Sequence, residues 1–179
     1  ADYFTQDLDR ALLEGRIDLT VNSAKDLPDP VPDGLVVAAR MRARDIRDAL
    51  VFRRDQGPDT PPATVGTSSP HRAELVRALY PDAACTEIRG DVPTRIQQLD
   101  DGDYDAIVVA ACALERLGMA DRITCYLPGD STPQQGRLAL VTRADNTALI
   151  RTLRPYDVTR TAGLVAIVGC PADPTLLSE

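Results

Sequence analysis

Apolar residues along this chain switch repeatedly between a helical and an extended period. Phe4, Leu8, Ala11 and Leu12 recur at helical spacing and Gly15 follows them, which predicts an amphipathic helix over 4–14. Leu19 and Val21 then alternate with polar neighbours, the pattern of a strand. That strand breaks at Asn22-Ser23, and Pro28 and Pro30 bar a following helix. Leu35-Val-Val-Ala-Ala and Asp48-Ala-Leu-Val-Phe read as two further strands. Arg53 to Ala63 is polar, rich in Pro and without an apolar period, so it reads as a linker. After it, Thr64-Val65 leads into Gly66-Thr-Ser-Ser-Pro70 and a helix with Leu75, Val76 and Leu79 inside. Cys85 to Ile88 is a strand, and Arg89-Gly-Asp-Val-Pro93 opens a helix carrying Ile96 and Leu99. Asp105 to Ala110 is apolar almost throughout, as a central parallel strand is. A helix over Ala111–Leu117 stops at Gly118, Arg137 to Thr142 is a strand, and Asn146 to Leu153 is a short helix.

Strands alternating with helices predict an α/β protein with mostly parallel sheets and right-handed crossovers. The linker divides the chain. Residues 1–57 form a partial N-terminal α/β lobe, completed by about 130–154. Residues 61–129 form a second lobe, and 155–179 a tail or the start of a following domain. The chain opens inside a helix with no strand before it, so the N-terminal lobe is expected to be incomplete.

Charge narrows the partners. The net charge of -7 argues against nucleic acid and anionic membranes. A small anion can still bind where Arg, Lys and helix N-termini gather locally. No apolar run is long enough to span a membrane. The cysteines Cys85, Cys112, Cys125 and Cys170 form no C-x-x-C pair, and His71 is the single histidine, so no metal site is expected. Scattered unpaired cysteines fit a cytoplasmic protein.

Two junctions in the second lobe share one design. Ser68, Ser69 and Pro70 start one helix, with Arg72 in its first turn; Asp91 and Pro93 start another, with Arg89 before it and Arg95 just inside. Helix starts offer free N–H groups and a positive dipole end, and an Arg adds a fork suited to carboxylates. An Arg in a first turn opposes the dipole and calls for another reason, such as pairing with surface Asp and Glu or binding an anion. Ends of parallel strands are where such sheets bind ligands, which favours a site for a small polycarboxylate. Lys25, Arg44 and Arg47 in the first lobe are expected to face it. Asp26 would be the lone acid/base in that field, held ionised by the cations.

These stretches carry a resemblance. Asn22-Ser-Ala-Lys-Asp-Leu-Pro resembles the His-Ser-Met-Lys-Asp-Val-Pro motif of the hydroxymethylbilane synthase, or porphobilinogen deaminase, family. Arg44-Asp-Ile-Arg-Asp-Ala is similar to the next signature. Gly66-Thr-Ser-Ser-Pro-His-Arg resembles its Gly-Thr-Ser-Ser-Leu-Arg-Arg, and Ile88-Arg-Gly-Asp-Val-Pro-Thr-Arg its Leu-Arg-Gly-Asn-Val-x-Thr-Arg. Leu99-Asp-Asp-Gly-Asp-Tyr-Asp-Ala-Ile-Val-Val-Ala-Ala-Cys-Ala-Leu-Glu-Arg-Leu-Gly also matches, and the order holds from about residue 4 to 154.

The resemblance implies a three-domain transferase whose first two lobes resemble type II periplasmic binding proteins. Such an enzyme joins four porphobilinogen molecules into the linear tetrapyrrole hydroxymethylbilane, releasing ammonia, on a dipyrromethane cofactor held by a Cys in the third domain. By motif position Asp26 would be the catalytic carboxylate. Lys25, Arg47, Arg72, Arg89 and Arg95 would hold anionic arms, and Ser23, Thr67 and Ser68 would add hydrogen bonds. Departures stand beside this. The motif His is Asn22, the first paired Arg is His71, and the family's Gly-Gln-Gly-Ala is Gln134-Gln-Gly-Arg137. The family's N-terminal strand and helix are missing, and Cys170, in Val168-Gly-Cys-Pro, is a poor match to the cofactor cysteine. Gly163 to Leu177 resembles the opening of uroporphyrinogen-III C-methyltransferase, which implies fusion to, or work alongside, a tetrapyrrole methyltransferase. The alternative is a non-catalytic binding module for a small polycarboxylate or tetrapyrrole precursor.

Overall fold

The computed structural model describes residues 5–159. Cys170 and the methyltransferase-like stretch lie outside the described residues. The chain falls into two compact units, one made of the residues up to Arg42 and those from Arg137 onward, the other of Ala43–Gly136.

In the first unit, β1 (Thr20–Ser23) and β2 (Leu35–Arg40) flank β8 (Leu138–Arg143), and both pair with it antiparallel. Successive residues of a strand face opposite sides, and β8 shows this. Val141 packs with Leu12 and Leu35 beside Ile17, Leu27 and Val31. Leu140 packs with Ala38, Ala39 and Leu153 beside Leu19, Leu149 and Ile150. The helix α1 (Gln6–Leu13) thus supplies one face through Leu12, and α5 (Thr147–Leu153) the other. Arg143 Nη1 ties α1 to the sheet by donating to the Leu12 and Ile17 carbonyls at 3.1 and 3.0 Å. A sheet of mostly parallel strands is the expectation that fails here. The strand lying between β1 and β2 arrives from the far end of the chain and runs against both.

The second unit is a five-stranded sheet in the order β5-β4-β6-β3-β7. Its strands are β3 (Asp48–Phe52), β4 (Thr64–Gly66), β5 (Ala84–Thr86), β6 (Ala106–Ala110) and β7 (Cys125–Tyr126). β4 is parallel to β5 and β6, whereas β3 is antiparallel to β6 and β7. Ile107 and Val109 pack on one face with Ile88, Ile96, Leu99 and Leu114. Ala106 and Val108 pack on the other with Leu50, Phe52, Val65, Val76 and Leu127. A strand covered on both faces explains the unbroken apolar run of β6. The helices are α2 (Pro70–Leu79), α3 (Val92–Asp101) and α4 (Ala111–Arg116). In each unit the reversed strand is the first one after the chain crosses from the other unit.

The return crossing follows Gly136, but the first crossing does not fall where composition placed it. Residues 43–57 belong with the second unit, because β3 pairs there with β6. The polar, Pro-rich stretch 53–63 is a surface loop of that unit. Asp105 pins its end: Oδ2 accepts from the amides of Ala63 and Thr64 at 3.0 and 2.9 Å and from the Thr64 hydroxyl at 3.1 Å. Pro and polar composition mark a loop, not a division between cores.

Those bonds, the Thr64 amide first, hold the Asp105 carboxyl below the usual carboxylate range. A depressed folded-state pKa adds stability that is present above the unfolded value, near 4, and lost as pH falls through the folded one. Asp105→Asn should therefore cost about 1–2 kcal/mol at pH 7 and much less at pH 3. Urea denaturation at both pH values checks this; an equal cost at both would contradict it.

Candidate functional site

In the first unit β1 ends at Ser23 and turns into one 3₁₀ turn, Ala24–Asp26. The Ala24 amide donates to the Arg137 carbonyl at 3.1 Å, so the turn is fastened to the start of β8. Ala24 is buried, Ser23 and Lys25 are half-buried, and Asp26 is exposed. The turn thus has a fixed base and presents its carboxylate outward. Asn22 faces inward, donating from Nδ2 to Thr20 Oγ1 at 2.9 Å.

In the second unit the two helix starts follow the neighbouring parallel strands β4 and β5. The buried Thr67 donates its amide to the Thr86 carbonyl at 2.8 Å, and its hydroxyl accepts from the Ser69 amide at 3.2 Å. Ser68 Oγ donates to the Ile88 carbonyl. Ser69 caps α2, accepting the Arg72 amide at 3.4 Å, and Pro70 occupies the first turn. Asp91 caps α3, accepting the Thr94 amide at 2.9 Å. Gly66 closes β4 where an added Cβ would stand 3.0–3.1 Å from Tyr104, Ile107 and Ile88. A shallow depression of about 230 Å³ opens beside Thr67, Ser68, Ser69, Arg77, Cys85 and Glu87.

The arginines sort by what holds them. Arg72 is buried and donates from Nε and Nη2 to Asp48 Oδ1 at 3.0 and 2.7 Å, and from Nη2 to Gln135 Oε1 at 3.2 Å. Gln135 Nε2 donates back to Asp48 Oδ1 at 2.8 Å and to the Ile46 carbonyl at 2.7 Å. Asp48 is 3% and Gln135 2% exposed, and Asp48 Oδ2 is buried with no partner among the described residues. Arg47 lies in the second unit rather than the first, in a forked pair with Asp45 at 2.6–3.1 Å and 3.5 Å over the Tyr126 ring. The exposed Arg89 pairs with Glu87.

Arg95 and Arg116 are held differently. Arg95 Nε donates to the Gly90 carbonyl at 2.7 Å and Arg116 Nη2 to the Gly136 carbonyl at 2.6 Å. Neither makes an ion pair among the described residues. A carbonyl orients a guanidinium without cancelling its charge. Burial, then the neighbouring Arg72 and Arg89, push the Arg95 pKa down from the usual arginine range. His71, which departs from the first Arg of the resembled motif, places Nε2 2.7 Å from the Asp130 carbonyl.

Sequence reasoning picked out Arg72, Arg89 and Arg95 but missed Asp48, Gln135 and Arg116. Asp48 read as the first residue of a strand and lay in the stretch Arg44-Asp-Ile-Arg-Asp-Ala without a role of its own. Arg116 lay inside a matched motif, where nothing separated it from an ordinary helix-end cation.

The family model described as porphobilinogen deaminase, dipyromethane cofactor binding domain, matches residues 1–151. Porphobilinogen deaminase of Chromobacterium violaceum is 45% identical over 159 residues, 86% of this chain and 52% of that protein. The Paraburkholderia phymatum enzyme of that name is 41% identical over 167 residues, 90% of this chain and 51% of its own length. The chain thus spans about half the length of these curated relatives. Among solved structures, an ancestral cationic amino acid solute binding protein aligns with a TM-score of 0.51 at 13% identity, over 89% of this chain and 70% of its own. A prephenate dehydratase from Arthrobacter aurescens, in complex with L-Phe, aligns with a TM-score of 0.50 at 16% identity, over 75% of this chain and 48% of its own. At such identities the likeness is one of fold: a two-lobed α/β protein of the type II periplasmic binding kind.

Breaking a buried ion pair on one side leaves an uncompensated charge, at a cost of about 3–5 kcal/mol. Asp48→Ala should lower stability by that much, and the joint change Asp48→Leu with Arg72→Met should recover most of it. Thermal denaturation of the three chains tests this; a double variant as unstable as Asp48→Ala would contradict it.

Proposed function

The chain belongs to the porphobilinogen deaminase family, and on that premise we propose that it serves in joining porphobilinogen units head to tail into hydroxymethylbilane with loss of ammonia. The observation that supports this most directly is Arg95 in the first turn of α3, held by the Gly90 carbonyl and without an ion pair among the described residues. Porphobilinogen carries an acetate and a propionate arm, and such a guanidinium suits them. In this reading Arg89 and Arg95 grip carboxylates, helped by Thr67 and Ser68, and Arg47 joins them by leaving Asp45. Arg72 anchors the start of α2 from beneath, its charge already met by Asp48.

Asp26 is the catalytic carboxylate, with Lys25 and Ser23 beside it on the turn. Loss of ammonia from the aminomethyl group leaves a cationic carbon, which an ionised Asp steadies. The same donor set fits a dipyrromethane cofactor, whose side arms are also carboxylates; when bound, that group supplies the pyrrole on which the chain grows. We further propose a cytoplasmic location and, from the resemblance of residues 163–177, fusion to or work with a tetrapyrrole methyltransferase.

Asp26→Asn keeps size and removes charge, so it should leave porphobilinogen binding nearly intact and slow condensation on the order of 100-fold. The assay follows ammonia release in a chain completed to the relatives' full length. A variant that turns over like its parent would overturn the assignment. A completed parent that binds porphobilinogen without turnover would favour a binding module, with Asn22 and His71 as the first positions to restore to His and Arg.

A further inference from the structure

At the C-terminal ends of β1 and β2, the first unit gathers cations of its own. Lys25 stands on the turn after β1, Arg40 ends β2 with Arg42 two residues on, and Arg137 precedes β8 between them. Arg137 is the best placed of these. Its carbonyl accepts the Ala24 amide at 3.1 Å, so it lies directly across from the turn that carries Lys25 and Asp26. Its side chain is half-buried, and Nη1 donates to the Met41 carbonyl at 3.3 Å.

Arg137 therefore shares the signature of Arg95 and Arg116: a guanidinium aimed by a backbone carbonyl and not neutralised. It makes no ion pair among the described residues, and its Nε and Nη2 take no part in the Met41 bond. Those two nitrogens form the edge of the fork that a carboxylate grips with two parallel bonds. The alternative of a purely structural strap explains the Met41 bond but not the charge. A neutral donor would hold one carbonyl as well, without the cost of a half-buried cation.

We propose that Arg137 binds a carboxylate arm of the substrate beside Lys25 and Asp26 and so sets specificity for carboxylated pyrroles. This rests on the porphobilinogen reading above and deepens it. A carboxylate clamped there would orient the pyrrole towards Asp26.

The test is calorimetric titration of this chain with porphobilinogen and with 2-aminomethylpyrrole, which lacks both arms. Arg137→Ala should weaken porphobilinogen binding about tenfold or more, the size of a lost charge-assisted pair. It should leave 2-aminomethylpyrrole unchanged, so the preference between the two ligands shrinks. Arg137→Lys should recover part of the preference. Arg137→Gln keeps a donor for the Met41 carbonyl and removes the charge, so it should melt like the parent and bind like Arg137→Ala. If Arg137→Ala does not fold, Arg137→Gln alone decides. A neutral variant that keeps the parent's preference overturns the inference. A parent that prefers neither ligand overturns the porphobilinogen reading and this inference with it. A parent that prefers porphobilinogen and loses that preference in Arg89→Ala, but not in Arg137→Gln, overturns only the role of Arg137.

Discussion

Inside the second unit, the buried Arg72 guanidinium is met by Asp48 and Gln135. Three separate pieces of chain converge on that contact: the start of β3, the first turn of α2 and the segment that leaves the unit at Gly136. A buried cation of this kind is costly unless every partner is in place. The contact therefore fixes where α2 begins, and with it the capped turn of Thr67, Ser68 and Ser69. Gln135 also bonds the Ile46 carbonyl at 2.7 Å, so the strand that enters the unit and the segment that leaves it are set by one side chain.

The helix starts inherit their geometry from this base. α2 and α3 begin above adjacent parallel strands, each with an oxygen cap satisfying one free amide. Arg95, in the first turn of α3, donates to the Gly90 carbonyl, whose residue has a φ of +107° that glycine adopts readily. A Cβ at that position would stand 2.8 Å from the Thr94 side chain. Backbone shape, more than charge pairing, keeps Arg95 in position. Buried arginines locked to an Asp hold the fold, as Arg72 does with Asp48 and Arg122 with Asp100. An arginine held by a carbonyl and without an ion pair among the described residues, as Arg95 is, keeps its charge for something else.

Much of this was legible beforehand. Strand and helix periods located nearly every element, and the caps at Ser69 and Asp91 were readable because Ser-Pro and Asp-x-Pro starts have a local cause. Strand direction was not. Nothing local in Leu138–Arg143 says that it runs between β1 and β2 against both, since that depends on where the chain crosses. The crossing itself was misplaced because a Pro-rich loop at 53–63 looked like a linker. The role of Arg72 was also hidden: its partners Asp48 and Gln135 lie 24 and 63 residues away, beyond any spacing rule. Asp26 was visible because a Pro-terminated turn after a strand is a local pattern.

The central claim is that a buried arginine locked to a carboxylate holds the fold, whereas one held by a carbonyl alone keeps its charge for a ligand. Arg95 and Arg122 test it side by side, since Arg122 is buried in a forked pair with Asp100 at 2.7 and 2.9 Å. The measurement is a paired series, Arg95→Ala and Arg122→Ala, read for both melting temperature and porphobilinogen affinity. Arg95→Ala should keep the parent's melting temperature within a degree or two and lose affinity about tenfold. Arg122→Ala should melt several degrees lower and, while folded, bind like the parent. The reverse pattern, or both properties falling together in both variants, would contradict the claim.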